Sequence, residues 1–311
     1  MLTMSGKVAF PVLNIALTDA MQTIHTVKEL RAALNRYRQT GKSIALVPTM
    51  GNLHDGHITL VKKANELADI TVCSIFVNPM QFGANEDLDA YPRTLDQDSQ
   101  RLQAAQCALL FAPSVSEVYP EGLEQQTVVH VPGISSHHCG ASRPGHFDGV
   151  ATVVSKLFHM VQPDHALFGL KDYQQFQVIR KMVTDQCFDI KLHGVPTVRD
   201  EHGLALSSRN GYLSPSEIET ARHLYRQLSS VASAIQQGSK AFTTLEEESC
   251  SYWESLGIRM DYFQICHYQT LQPMTELTAA EQESVDHCVL LVAAFVGNTR
   301  LIDNLVTSRP N

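Results

Sequence analysis

Between residues 26 and 196, short apolar runs alternate with amphipathic stretches at helical spacing, and no other feature of the sequence restricts the fold as much. Val27, Leu30, Leu34 and Tyr37 predict a helix, Gly41 a turn, and Ile44 to Val47 a strand. Ile58, Leu60, Val61, Ala64 and Leu67 predict the next helix, Thr71 to Val77 a strand, Leu95 to Ala105 a helix and Ala108 to Ala112 a strand. Val150, Val153, Val154, Leu157, Phe158 and Val161 form a strongly apolar helix face, before a buried strand at Ala166 to Phe168 and a helix at Gln174 to Met182. Near-continuous apolar strands separated by helices imply a parallel sheet covered on both faces, because each crossover lays a helix on the sheet. Sheets of this kind bind ligands at the carboxyl ends of their strands.

The texture changes after Pro196. Ser214, Pro215 and Glu217 read as a capping box with proline at the first helical position, opening a long helix toward Gly238. A helix around Thr244 to Leu256 and strand-like runs at Tyr262 to His267 and Val289 to Phe295 complete a smaller α+β unit. The expected organisation is an N-terminal extension at 1–20, an α/β domain at 21–196 and an α+β domain at 197–311. The extension has one lysine and broken apolar patches from Val8 to Leu17, without the charged end, apolar core and cleavage site of a signal peptide. Met21 is read as leading into the first helix.

A formal net charge of -8 in 311 residues leaves no basic footprint for nucleic acid, and no stretch approaches a membrane span. The seven cysteines are scattered and contain no CxxC pair, which reads as reduced thiols in a cytoplasmic protein.

The chemistry-bearing residues cluster behind the predicted strands. Directly after the first come Pro48, Thr49, Met50, Gly51, Asn52, Leu53, His54, Asp55, Gly56 and His57, and then a helix. A helix N-terminus offers free N–H groups and a positive dipole end to a phosphate. Gly51 and Gly56 allow close backbone approach, and His54 and His57, three residues apart, project to one side. Gly41, Lys42 and Ser43 mimic the end of a P-loop, but Arg36 stands where its first glycine belongs.

A second cluster, Phe168 to Gln175, again joins a strand to a helix: Lys171 can neutralise phosphate, Asp172 can hold Mg²⁺ through oxygen, and glutamine can orient a hydroxylated substrate. The third, Gly203 to Gly211, carries Ser207, Ser208 and Arg209, groups able to close over a triphosphate or merely to form a turn before the next helix. The fourth, Phe76 to Phe82, sets the amides of Asn78 and Gln81 beside Pro79, Met80 and Phe82, as a small branched hydroxy acid requires.

Together VPTMGNLHDGH, SIFVNPMQF, RPGHFDGV, FGLKDYQQ and GLALSSRNGYL resemble the pantothenate synthetase family of the HxGH nucleotidyltransferases, from about Thr26 to Leu305. The resemblance implies a Rossmann-like N-terminal domain, a smaller C-terminal domain that covers the site as a lid, and a homodimer. It implies an ATP-dependent ligase that joins (R)-pantoate to β-alanine through a pantoyl-adenylate, releasing AMP and pyrophosphate, with Mg²⁺ accompanying ATP. On the same ground Met50 to His57, Gly169 to Asp172, Val198 and Leu206 to Arg209 match the ATP site. His57 matches a proton donor, His54 its phosphate-binding companion, and Lys171 and Ser207 to Arg209 the groups that serve the phosphates. Gln81 and Gln175 match the glutamines that hold pantoate, with Gln81 also near β-alanine; Asn78 is a further substrate candidate and Asp172 a candidate for Mg²⁺.

One position departs from the family: Leu170 stands where a glutamate is common, and is expected to pack rather than bind. Val131 to Asp148 reads as a long loop, a candidate lid, whose His137, His138, Cys139 and His146 fit no zinc spacing. Two other readings stay open on the residues alone: a nucleotidyltransferase acting on a phosphorylated acceptor, and a nucleotide sensor without turnover.

Overall fold

The computed structural model describes residues 21–83, 86, 88–238, 241–276 and 287–307; the segment read as an extension lies outside them. The described chain opens not with a helix but with β1 (Gln22–Ile24), a strand in which only Ile24 is buried, too short to show a period. Helix α1 (Val27–Gln39) is capped by Thr26, whose Oγ1 accepts the Glu29 N–H at 3.2 Å, and it buries Leu30, Ala33 and Leu34. Then β2 (Ile44–Thr49), α2 (Asp55–Leu67), β3 (Ile70–Ile75), α3 (Leu95–Ala104) and β4 (Leu109–Phe111) stand where the periodicity predicts. Two short turns of helix, α4 (Val115–Val118) and α5 (Cys139–Ser142), lead into α6 (His146–Val161), β5 (His165–Gly169), α7 (Tyr173–Asp185) and β6 (Lys191–Val195). Strand β6 falls outside the sequence pattern because it is an edge strand whose Lys191 and Gly194 are exposed.

These six strands make one parallel sheet in the order β1-β4-β3-β2-β5-β6. Alternating side chains serve the two faces: Ile44 and Leu46 join a core built with Leu30, Val150, Leu157 and Ile179, while Ala45 and Val47 face Leu60, Val61 and Leu102. The chain sets β3 and β4 to one side of β2 and then returns to set β5 and β6 on the other, so the order reverses between β2 and β5. Pairing of β2 with β3 runs from Ile44 opposite Ile70 to Thr49 opposite Ile75, but pairing with β5 is confined to Ala45 opposite His165 and Leu46 opposite Ala166. Beyond Leu46 the two strands part, and their carboxyl ends bound a crevice at the switch point of the sheet.

In the C-terminal part the predicted box forms: Ser214 Oγ accepts the Glu217 N–H at 3.3 Å and Glu217 Oε2 accepts the Ser214 N–H at 2.8 Å, opening α8 (Pro215–Gln236). It is followed by α9 (Phe242–Ser255) and an antiparallel sheet of β7 (Arg259–His267), β8 (Cys288–Val296) and β9 (Thr299–Val306). Strand β9 has no clear sequence signal, because Arg300, Asp303 and Asn304 break up its apolar run. The sheet is buried on both faces. Phe263, Ile265, Leu290, Val292 and Leu301 pack with Trp253 and Leu228, whereas Cys266, Val289 and Leu291, with Ile302 and Val306 against them, extend the core of the parallel sheet.

Residues 131–148 are not a free loop. Val131, Ile134, His138 and Cys139 are buried, and α6 begins at His146 rather than near Val150. Gln174 pins the segment, accepting the Cys139 N–H at 3.1 Å and donating to the carbonyls of Ile134 and His137 at 2.9 and 2.7 Å. All seven cysteines are free thiols, and among the described residues no helix is long and apolar enough to cross a membrane.

Candidate active site

The loop after β2 turns into α2 through a reciprocal cap. His54 Nδ1 accepts the Gly56 N–H at 3.2 Å, and His57 Nδ1 accepts the His54 N–H at 3.2 Å. With Nδ1 so occupied, each neutral ring carries its proton on Nε2. Burial drives His57 down to about 3, the nearby His54 and Lys171 adding to the shift, and burial followed by the Lys171 charge lowers His54 as well. The site therefore has two uncharged N–H donors at a helix N-terminus, with ring centroids 4.1 Å apart. Gly56 is required here, since a Cβ would stand 2.9 Å from the His54 ring.

The rest of that loop is held from behind. Asp98 on α3, 2% exposed, accepts the N–H groups of Asn52 and Leu53 at 2.9 and 2.7 Å and the Thr94 hydroxyl at 3.1 Å. Met50, His54, Gly56 and His57 line a cavity of about 250 Å³, whereas Gly51, Asn52 and Leu53 form the turn behind them and Asp55 points to solvent near Arg101. Asp98 carries no signal in the sequence, where it reads as one of several acidic residues in the first turn of a helix.

After β3, Pro79–Gln81 form a single tight turn. Asn78, 1% exposed, is engaged inside the protein and lines neither of the site's two cavities. It donates to Gln81 Oε1 at 3.2 Å and to the Gly149 carbonyl at 3.0 Å, and accepts from Tyr119 Oη at 2.7 Å and the Met80 N–H at 3.3 Å. Its role is to aim Gln81, which lines the same cavity with its Nε2 2.9 Å from Met50 Sδ. Helix α6 approaches this turn so closely that a Cβ on Gly149 would lie 2.4 Å from the Met80 carbonyl oxygen.

Arg143 and His146, to which spacing alone gives no role in the site, complete this wall. Arg143 donates to both oxygens of Glu86, at 2.6 and 2.5 Å, and to His146 Nε2 at 3.0 Å. His146 Nδ1 in turn donates to the Gln81 carbonyl at 2.8 Å. Burial and the Arg143 charge hold His146 at about 4, so this ring is neutral too. His138 is directed elsewhere, with Nε2 3.0 Å from the Leu271 carbonyl; among the described residues no three of these or other His, Cys, Asp and Glu side chains gather as a metal site.

Across the crevice, β5 ends in the turn Leu170–Asp172. Lys171, Asp172 and Gln175 line both the 250 Å³ cavity and a second one of about 710 Å³ that runs out between the two sheets. Lys171 Nζ and Asp172 Oδ1 are 3.9 Å apart. Gly169 lines the inner cavity, but Leu170 lines neither. Its side chain lies on Gly194 of β6, where a Cβ would come within 2.5 Å of it, and packs against the core as expected.

The third wall comes from the C-terminal part. Val198, Leu206, Ser207, Ser208 and Arg209 all line the inner cavity. Leu206 N–H bonds to the Val198 carbonyl at 2.9 Å, Ser207 Oγ accepts the Arg209 N–H at 3.2 Å, and Ser208 Oγ donates to the Asn52 carbonyl at 3.3 Å. That last bond docks the serine loop onto the histidine loop. Histidine N–H donors, a helix N-terminus, a lysine, an arginine and serine hydroxyls thus face one space beside an apolar pocket of Phe76, Val150, Val154 and Leu157. Such a set can bind a polyphosphate along its polar side and a small apolar acid along the other.

Comparison with known proteins agrees with that chemistry. The profile of the pantoate-β-alanine ligase family matches residues 22–306. The pantothenate synthetase of Marinobacter nauticus is 56% identical over 293 residues, 93% of this chain and 100% of that protein. That of Pseudomonas putida strain W619 is 57% identical over 285 residues, 92% of this chain and 97% of the relative. Among solved structures, a pantothenate synthetase from Thermus thermophilus superposes with a TM-score of 0.82 at 45% identity, covering 93% of this chain and 100% of that one. A pantoate-β-alanine ligase from Francisella tularensis, complexed with β,γ-ATP and β-alanine, gives 0.76 at 35% identity, covering 93% and 98%.

Proposed function

The chain belongs to the pantoate-β-alanine ligase family, whose ATP-dependent condensation of pantoate with β-alanine it performs, and we propose that it does so through a pantoyl-adenylate built in the crevice between β2 and β5. The observation that carries this reading is the pair of Nε2–H imidazoles at the start of α2, opposite Lys171 and the Ser207–Arg209 loop.

ATP lies with its phosphates against the α2 N-terminus, His54, His57, Lys171, Ser207, Ser208 and Arg209, and with its nucleoside along Gly169, Val198 and Leu206. Pantoate sits on the apolar side, its polar groups met by Gln81 and Gln175. Its carboxylate oxygen attacks the α-phosphorus, forming the acyl–phosphate bond as the bond to pyrophosphate breaks. His54 and His57 then hydrogen-bond the charge that develops on the phosphate oxygens; being neutral, His57 acts as a fixed N–H donor rather than as a charged acid. In the second step the amine of β-alanine attacks the acyl carbon and AMP leaves. No protein nucleophile takes part, so the catalysis is positioning and charge stabilisation.

Mg²⁺ fits as a companion of ATP rather than as a resident ion: among the described residues Asp172, half exposed beside Lys171, is the one carboxylate lining the inner cavity, which is how Mg²⁺ is commonly held together with phosphates and water. When bound it neutralises part of the triphosphate charge. A two-domain division near Pro196 is supported by the end of β6 at Val195, and a homodimer by the exposed Val115, Leu123 and Val128 of the N-terminal part. A cytoplasmic location is supported by seven unpaired thiols.

The test is product analysis with ATP and pantoate, with and without β-alanine. Pyrophosphate without β-alanine, and AMP with pantothenate once it is added, is the expected result. ADP and orthophosphate instead would mean an acyl-phosphate and overturn the adenylate route.

A further inference from the structure

The turn that carries Lys171 has no cap of its own. Gly169 before it has no side chain to cap it, and Asp172, which ends the turn, makes no side-chain cap bond to α7 either. Its carbonyls are met from the other sheet instead. The side-chain amide of Asn304 on β9, a residue 6% exposed, donates to the Leu170 carbonyl at 2.9 Å and to the Lys171 carbonyl at 2.7 Å. Both hydrogens of one planar group are thus aimed at two consecutive peptides, which sets the direction of the turn and not merely its distance.

Asn304 is itself anchored to the segment that leads into the serine loop. Its backbone carbonyl accepts from Arg199 Nη2 at 3.2 Å, and its N–H bonds to Asp303 Oδ1 at 2.7 Å. Arg199 grips Asp303 with two bonds of 2.6 and 2.8 Å and stacks on Tyr225 at 3.7 Å, holding the base of the hairpin that delivers Ser207 to Arg209. One short stretch of β9 therefore fastens both phosphate-facing segments.

We propose that Asn304 is a positioning residue for adenylate formation, acting through the Leu170–Asp172 turn to hold the Lys171 ammonium against the triphosphate. The proposal rests on the reading of Lys171 as a phosphate ligand. Because Asn304 borders the 710 Å³ cavity, water can reach the two carbonyls when the amide is removed, so Asn304→Ala keeps the fold while the turn loses its direction.

The test is a double-mutant cycle read by pantoate-dependent ATP–pyrophosphate exchange, with the unfolding midpoint measured alongside. Asn304→Ala should lower kcat/KM for ATP about tenfold or more in the exchange and, in the full reaction, leave the KM for β-alanine unchanged. In the Lys171→Ala background the same change should cost almost nothing, since its effect passes through the missing ammonium. Losses that multiply in the double variant, or an Asn304→Ala enzyme within about twofold of wild type beside an impaired Lys171→Ala, overturn the proposal. Wild-type exchange in Lys171→Ala overturns the phosphate reading beneath it. If Asn304→Ala does not fold, Asn304→Ser, which keeps one donor, is judged by the same cycle: a partial loss absent from the Lys171→Ala background supports the role, and an additive one refutes it.

Discussion

Two strand-to-helix junctions meet in the site, and they are held in opposite ways. After β2, the histidines cap one another's backbone and Asp98 clamps the turn behind them, all within the parallel sheet and its helices. After β5, the lysine turn is uncapped locally and takes its hydrogen bonds from Asn304 on the distant antiparallel sheet. The first junction is held by its own neighbourhood; the second takes its side-chain hydrogen bonds from across the seam between the two sheets. A ligase that must admit three substrates and release three products can keep one edge of its cavity fixed and let the other depend on contact between its two sheets.

The largest effects come from removing a hydrogen-bonding or charged group from each junction. His57→Ala and Lys171→Ala should each lower kcat/KM by a hundred- to a thousandfold, about 3–4 kcal/mol of transition-state stabilisation, with the fold retained. Steady-state kinetics of the two purified variants decide it, and wild-type turnover in both would dissolve the site.

Next comes the clamp that only the first junction has. Asp98→Ala leaves the Asn52 and Leu53 N–H groups buried without a partner and should destabilise the protein by about 2–3 kcal/mol in denaturant unfolding. A change below about 0.5 kcal/mol would mean that the loop is not preorganised as described.

The buried imidazoles give a pH signature. His57 is held near 3 and His146 near 4, both below the ordinary value of about 6.5, so the unfolded chain binds more protons than the folded one between those limits. Stability that is complete above pH 6.5 should fall as pH drops toward 4, by about 1.4 kcal/mol per pH unit for each histidine. His57→Gln should make the decline shallower; an unchanged slope in the variant would contradict the burial of that ring.

The smallest effect belongs to Leu170. With its side chain on Gly194 and outside both cavities, Leu170→Glu should change ATP affinity by less than about 0.5 kcal/mol in calorimetry. A markedly tighter ATP complex would show that a carboxylate at this position reaches the phosphates after all.

The periodicity of the sequence carries most of the parallel sheet, because strands buried on both faces leave long apolar runs. It misses β1, β6 and β9, where the strand is too short, lies at an edge, or carries Arg300, Asp303 and Asn304 among its apolar residues. That His54, His57, Gln81, Lys171, Gln175 and Ser207 to Arg209 line one cavity is legible in the sequence, because each cluster sits directly behind a strand or loop break and brings its own chemistry. Asn78, Asp55, Leu53 and Leu170 stand in the same clusters but are turned away from the cavities, a distinction of side-chain direction that adjacency in sequence does not encode.

Local hydrogen bonding and the period of burial are written along the chain, and they suffice to specify the donors and their attachment to particular strand ends. Which polar residues support those donors is settled only when the chain is folded. Asp98 reaches back 46 residues to Asn52, His146 reaches 65 residues to Gln81, and Asn304 reaches 133 residues to Lys171. Such contacts depend on how helices and sheets pack across the crevice, and packing brings together residues whose separation along the chain carries no mark of their meeting.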